Sequence, residues 1–262
     1  MRNRTFLVCL AFLFSLSCGL DSGLNVIQED LNFKELEEYL RTAKITSIEV
    51  KESEGRTAPW EVTLDDGKIQ RRGRFKHVHR SRPHYLPDSY HYEIAAYELT
   101  KLLGIHTIPP VVEREIDNIR GALQVYVEGC FLLSKLKNRS VAPPDKEKFA
   151  YSLQELSVLE NLTYCVRDER DTLINEITWH VCRVDFSEAF APEMNLIPGS
   201  EITRCSRKLY DGLSNLSSDA LRSKLGVHLN KDEIEALLKR GKLVLEKLNN
   251  LIKEKGEDEI LF

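Results

Sequence analysis

A chain of 262 residues has room for one large domain or for two lobes sharing a cleft. Hydrophobic residues at 42% and charged residues at 30% exclude a disordered or fibrous protein. A formal charge of −4 gives no electrostatic case for binding nucleic acid, which needs a basic face.

Arg2 and Arg4 precede an apolar run from Phe6 to Leu16 that is too short to span a bilayer as a stable helix. Ser15, Leu16, Ser17, Cys18 and Gly19 follow. The pattern reads as a secretory signal peptide over residues 1–18, with Cys18 as a candidate lipidation site; an uncleaved N-terminal anchor is the plainer alternative. The expectation is export, to the periplasm or as a lipoprotein attached to the membrane through Cys18. Cys130, Cys165, Cys182 and Cys205 remain after the leader. In an oxidising compartment they allow one or two disulfides, or they are buried free thiols. None has zinc-like CxxC spacing.

Residues 20–40 are acidic and helical in pattern. Ile45 to Val50 then alternates, Glu54-Gly55 marks a turn, Trp60 to Leu64 alternates again, and Asp66-Gly67 is a hairpin signal. Arg72 to Val78 supplies a third strand containing Phe75-Lys76, and His79 to Asp88 reads as a polar loop broken by Pro83 and Pro87. Asp88 or Ser89 caps a helix running to Leu103 and stopped by Gly104. Ile108 to Ile116 and Gly121 to Val127 complete a five-stranded antiparallel sheet with one helix inserted after its third strand.

Residues 131–145 are polar, with a linker turn at Pro143-Pro144. Lys146 to about Val166 is helical, two short strands at Leu173-Ile174 and His180 to Val184 precede Asp185, and everything after Ser206 is helical. Asn230 and Glu233 open the last helix as a capping box. There are no repeats and no GxSxG elbow for a serine hydrolase.

A lysine on the third strand, a glutamate in the next helix and an aspartate after a later strand pair form the skeleton of a phosphate-transferring nucleotide site. Phosphoryl transfer depends on positioning and charge neutralisation. The lysine places phosphates, the glutamate holds the lysine, and the aspartate binds the metal. Lys76, Glu93 and Asp185 fill these roles in the correct order, although each alone reads as an ordinary solvated residue. ATP and Mg2+ are the implied cofactors, provided the cleft is functional.

The run Tyr92-Glu93-Ile94-Ala95-Ala96-Tyr97-Glu98-Leu99, with Leu102-Leu103-Gly104 and Ile108-Pro109-Pro110, resembles a bacterial protein-kinase-like family. That family is related to phosphatidylinositol-kinase-type and secretory-pathway (casein-kinase-like) folds. Gly55 with Pro59-Trp60 resembles its nucleotide-binding glycine loop, Phe75-Lys76 its third strand, and Val184 to Phe190 its metal-binding segment. The resemblance covers roughly residues 45–262. It implies an α+β bilobal protein-kinase-like fold, with an N-lobe at 44–128 and a small helical C-lobe at 131–262. The partners it implies are a nucleotide and a protein or small-molecule acceptor.

Active relatives carry a catalytic loop of Asn, one residue, Asp-Arg, three residues and Asn. Counting back from Asp185 without gaps places Cys165 on the first Asn, Arg167 on the catalytic Asp, Asp168 on the Arg and Thr172 on the metal-binding Asn. A one-residue shift restores Asp168 as the catalytic residue but displaces Asn175. The ungapped register implies a pseudokinase, a binding or scaffold module, with Asp168 turned from the cleft. The shifted register implies an ATP-dependent phosphotransferase. An exported protein would also meet little ATP.

His77, His79, His84 and His91 crowd one stretch. Arg80, Arg82 and Lys76 beside them oppose a cation, so a solvated loop is the default over a metal site. The same cationic loop could meet an acidic partner or phosphate. Asn138-Arg139-Ser140, Asn161-Leu162-Thr163 and Asn215-Leu216-Ser217 match a glycosylation pattern that is common by chance.

Overall fold

The computed structural model describes residues 32–50, 58–82, 85–166 and 168–262. The leader with Cys18, the turn with Gly55, His84 and the loop residue Arg167 lie outside them. No helix among the described residues is long and apolar enough to cross a membrane.

Helix α1 (Asn32–Thr42) leads into β1 (Lys44–Val50), β2 (Trp60–Asp65) and β3 (Gln70–Lys76). A small hairpin, β4 (His79–Arg82) and β5 (Tyr85–Ser89), delivers the chain to α2 (Tyr90–Leu103), followed by β6 (Val111–Ile116) and β7 (Ile119–Val125). The sheet order is β1-β2-β3-β7-β6, antiparallel throughout. The hairpin replaces the expected loop. It pairs His79 with Ser89 and Arg80 with Asp88, and these polar residues give no apolar alternation to announce it.

Alternation along β2 and β3 turns Val62, Leu64 and Phe75 inward, where they meet Leu123 of β7 and Leu36 and Leu40 of α1. Full burial of each large side chain is worth roughly 1.5–3 kcal/mol. Strands β3 and β7 approach closely beside Lys76: a Cβ on Gly121 would lie 2.4 Å from the Lys76 carbonyl oxygen. Helix α2 starts where Ser89 accepts from the His91 amide and stops at Gly104, whose φ of 68° is left-handed.

A second, three-stranded sheet joins β8 (Cys130–Leu132), β9 (Thr172–Asn175) and β10 (Val181–Arg183) in the order β10-β9-β8. A 3₁₀ turn (Leu133–Asn138) and α3 (Lys146–Thr163) lie between β8 and β9. The rest is helical: α4 (Arg207–Ser214), α5 (Ser218–Leu225), α6 (Lys231–Lys255) and α7 (Glu257–Ile260). The Asn230–Glu233 capping box forms as expected.

The largest core cluster runs from α2 through α3 to α4, α5 and α6, so α2 packs against the helical half as well as the sheet. Polar bonds add to this. Tyr97 and Lys101 reach Glu37 of α1, and Tyr92 donates to Glu233 of α6 at 2.5 Å. Cys130, Cys165, Cys182 and Cys205 are all free thiols.

Candidate active site

Between sheet and helices lies a cleft of about 880 Å³, within the size range of small-molecule and cofactor sites. Lys76, the last residue of β3, donates to Glu93 Oε1 at 2.5 Å and to Asp185 Oδ1 at 2.9 Å. The Phe186 amide donates to Glu93 Oε2 at 3.1 Å, and the Ser187 hydroxyl donates to Asp185 Oδ1 at 3.2 Å. Three residues separated widely in sequence thus form one bonded group. Glu93 stands off the apolar stripe of α2 yet is buried, because its carboxylate receives both the ammonium and an amide.

Burial opposes charge throughout this group, but the partners outweigh it at two of the three residues. Lys76 is held above its ordinary range by Glu93 and Asp185 despite burial. Asp185 is held below the usual carboxylate range by Lys76 and Ser187, again against burial. Burial prevails at Glu93 and pushes it upward. Asp185 adopts φ 65°, a left-handed conformation that costs a non-glycine residue energy and is concentrated at functional sites.

Another wall carries Asp168, Arg170, Asp171 and Leu173. Asp168 lines the cleft, but Arg170 grips its carboxylate with Nε contacts of 3.0 and 3.1 Å and an Nη2 contact of 2.6 Å. These bonds, with the Arg170 amide, hold Asp168 down to about 2. Thr172, aligned with the metal-binding Asn, does not face the cleft. It is fully buried and its hydroxyl donates back to the Asp168 carbonyl at 3.2 Å.

The reason is strand periodicity. On β9, Thr172 and Ile174 face the core, so Leu173 and the preceding Asp171 line the cleft. The Val184 amide donates to the Asp171 carbonyl at 3.0 Å, which registers Asp171 beside the segment entering Asp185. Burial, then the charges of Asp185 and Asp168, push the Asp171 carboxyl up to about 6. Asp171 is therefore a second cleft-lining carboxylate of this segment, one residue before the position that linear counting aligned with the metal-binding Asn.

Two buried arginines hold these loops. Arg183 donates to Glu160 Oε1 at 2.6 Å and to the Val166 carbonyl at 2.9 Å, fixing the entry to the loop. Arg240 donates to the Leu162 carbonyl at 2.8 Å and the Ala191 carbonyl at 3.0 Å, fixing the exit of the Asp185 segment.

The histidine cluster has no metal geometry: among the described residues no three His, Cys, Asp or Glu side chains converge to hold an ion. Magnesium asks for less, because it is commonly held by one or two carboxylates plus substrate phosphates. Asp185 and Asp171, both lining the cleft, could supply such carboxylates.

The chain superposes on hydra Fam20, solved with sugar, at a TM-score of 0.66 and 18% identity, covering 90% of this chain and 93% of that one. It superposes on CtkA, a proinflammatory kinase of Helicobacter pylori, at 0.51 and 11% identity, covering 82% and 98%. The fold is therefore kinase-like, mixed α+β with an antiparallel sheet. No protein-family model matches the sequence, and no curated protein matches it.

Proposed function

We propose that this chain is a bilobal kinase-like protein that binds ATP with Mg2+ in the cleft between residues 44–128 and 131–262. The observation that carries the reading is the bonded group of Lys76, Glu93 and Asp185. Lys76 would neutralise and place phosphate oxygens, with Glu93 keeping it aimed. Asp185 and Asp171 would hold the magnesium ion, which supplies neutralisation of phosphate charge when bound. The glycine turn at Gly55 would cover the phosphates. The fitted activity is phosphoryl transfer to a hydroxyl of a protein or small-molecule acceptor, with Asp168 as the carboxylate that orients that hydroxyl.

A second reading, a non-catalytic binding module, draws on the Arg170 grip on Asp168. A carboxylate held this firmly is a weak base and is not free to accept a proton. The leader over residues 1–18 extends either reading to an exported protein, with Cys18 as a lipid attachment point.

The test is fluorescent ATP-analogue binding to the purified protein with and without magnesium, followed by a phosphotransfer and ATP-hydrolysis assay. Magnesium-enhanced binding with turnover supports the enzyme. Magnesium-enhanced binding without turnover supports the binding module, and no binding rejects both.

A further inference from the structure

His91 in the first turn of α2 meets His228 in the turn between α5 and α6, their Nδ1 atoms 3.0 Å apart. A contact between two imidazole nitrogens at this distance requires a single shared proton, one ring donating and the other accepting. One extra proton can be carried on an outer nitrogen. A second would set two N–H groups against each other and break the contact. His79 of β4 stands edge-on to His91 at 5.1 Å, with its Nδ1 2.9 Å from the Ser89 hydroxyl that caps α2. The Tyr90 ring stacks on His91 at 4.1 Å.

Three imidazoles from three elements therefore meet at one joint. Only part of the surroundings disfavours positive charge: His91 lies within the N-terminal turn of α2, where the helix dipole is positive, whereas the His228 amide donates to the Leu225 carbonyl at the C-terminal end of α5. The charged groups facing the joint are Glu113 of β6 and Glu98 of α2, which favour protonation, and Arg120 of β7 beside Tyr90. Burial leads the forces that hold both His91 and His228 below the ordinary imidazole range.

The joint is coupled to the cleft through a short stretch of α2 and through hydrogen bonds. Glu93 follows His91 by two residues on the same helix. The Ser89 amide donates to the Ser187 carbonyl at 2.8 Å, and Ser187 in turn holds Asp185.

We infer that the His79–His91–His228 joint is an acid-sensitive latch, which fixes α2 to the helical half at neutral pH and releases it when the imidazoles are charged. Release loosens the Lys76–Glu93–Asp185 group and so weakens phosphate binding; this part rests on the proposed nucleotide reading. The sign follows from linkage. Unfolded, the His91 and His228 imidazoles bind protons near pH 6.5, whereas folded they resist, so stability is lost as pH falls below that value.

The experiment compares wild type with His228→Gln and His91→Gln in thermal unfolding and in magnesium–ATP-analogue binding, from about pH 7.5 to about pH 5. Wild type should lose several degrees of melting temperature and several-fold affinity across this range, and both variants should lose clearly less. Superimposable pH profiles in wild type and variants would overturn the latch. If no nucleotide binds at any pH, the nucleotide reading fails, and the melting curves still decide the latch. Should both variants fail to fold, NMR titration of the wild-type imidazole rings decides it. Joint, depressed titration of His91 and His228 supports the latch, whereas two independent titrations at the ordinary value overturn it.

Discussion

On the wall of the cleft that carries Lys76, Glu93 and Asp185, the three charged groups pair with one another. On the wall that carries Asp168, Arg170 and Asp171, Asp168 is gripped by Arg170, and a second carboxylate, Asp171, also lines the cleft. Both walls hang on the same rigid supports, including the buried ion pair of Arg183 with Glu160. The difference therefore lies in side-chain identity and not in the scaffold. The two groups of charges make separate contacts on one shared scaffold, so side chains can change on one wall while those on the other are kept.

The comparison breaks most visibly at Lys76. Lys76→Ala leaves the Glu93 carboxylate buried without its counter-charge, and losing one partner of such a pair costs roughly 3–5 kcal/mol. Urea unfolding should register that loss alongside failure of ATP binding. A variant with unchanged stability would mean that the Lys76–Glu93 contact contributes little.

The second wall is tested through its two carboxylates. Arg170→Ala should raise ATP turnover severalfold by freeing Asp168, and Asp168→Asn should lower it about a hundredfold. Equal turnover in both variants and wild type marks the non-catalytic reading. Asp171→Ala should remove the magnesium-dependent part of nucleotide affinity, a loss on the order of tenfold or 1.4 kcal/mol, while leaving metal-free binding intact.

The Asp171 carboxyl also sets a pH dependence. With its folded value raised to about 6, the ionised ligand disappears as pH falls below that value, and magnesium-dependent affinity should fall with it. The effect on stability has the opposite sign. A raised carboxyl favours the folded state at low pH, and this contribution is lost as pH rises from the ordinary carboxylate range through about 6. Calorimetric magnesium titrations across that range separate this group from the histidine latch, since Asp171→Ala abolishes the metal effect and His228→Gln does not. An effect of similar size is expected at the support of α2: Tyr92→Phe deletes a buried hydrogen bond to Glu233 and should cost about 1.5 kcal/mol, seen in the unfolding midpoint.

Much of the frame was legible in the sequence because its signals are local. Ser89 and Gly104 bracket α2, Asp66-Gly67 marks the β2–β3 turn, and Asn230 with Glu233 opens α6. Lys76, Glu93 and Asp185 could be nominated from their order along these elements. The β4–β5 hairpin escaped because Pro83 and Pro87 read as breakers and its strands bury little in a regular pattern. Asp171 escaped because counting back from Asp185 finds a position but not a face, and only the pleat of β9 shows that Thr172 turns inward. Arg183 and Arg240 escaped because arginine is ordinarily a surface residue. The His91–His228 contact joins residues from opposite halves of the chain, and no spacing in the sequence announces it.

The central claim is that the cleft holds a nucleotide through the bonded group. Its most direct test is a titration of wild type, Lys76→Ala and Asp185→Ala with ATP, with and without magnesium. The account predicts magnesium-enhanced binding by wild type, weakened binding in both variants, and no magnesium enhancement in Asp185→Ala. Binding of equal strength in all three proteins would contradict it.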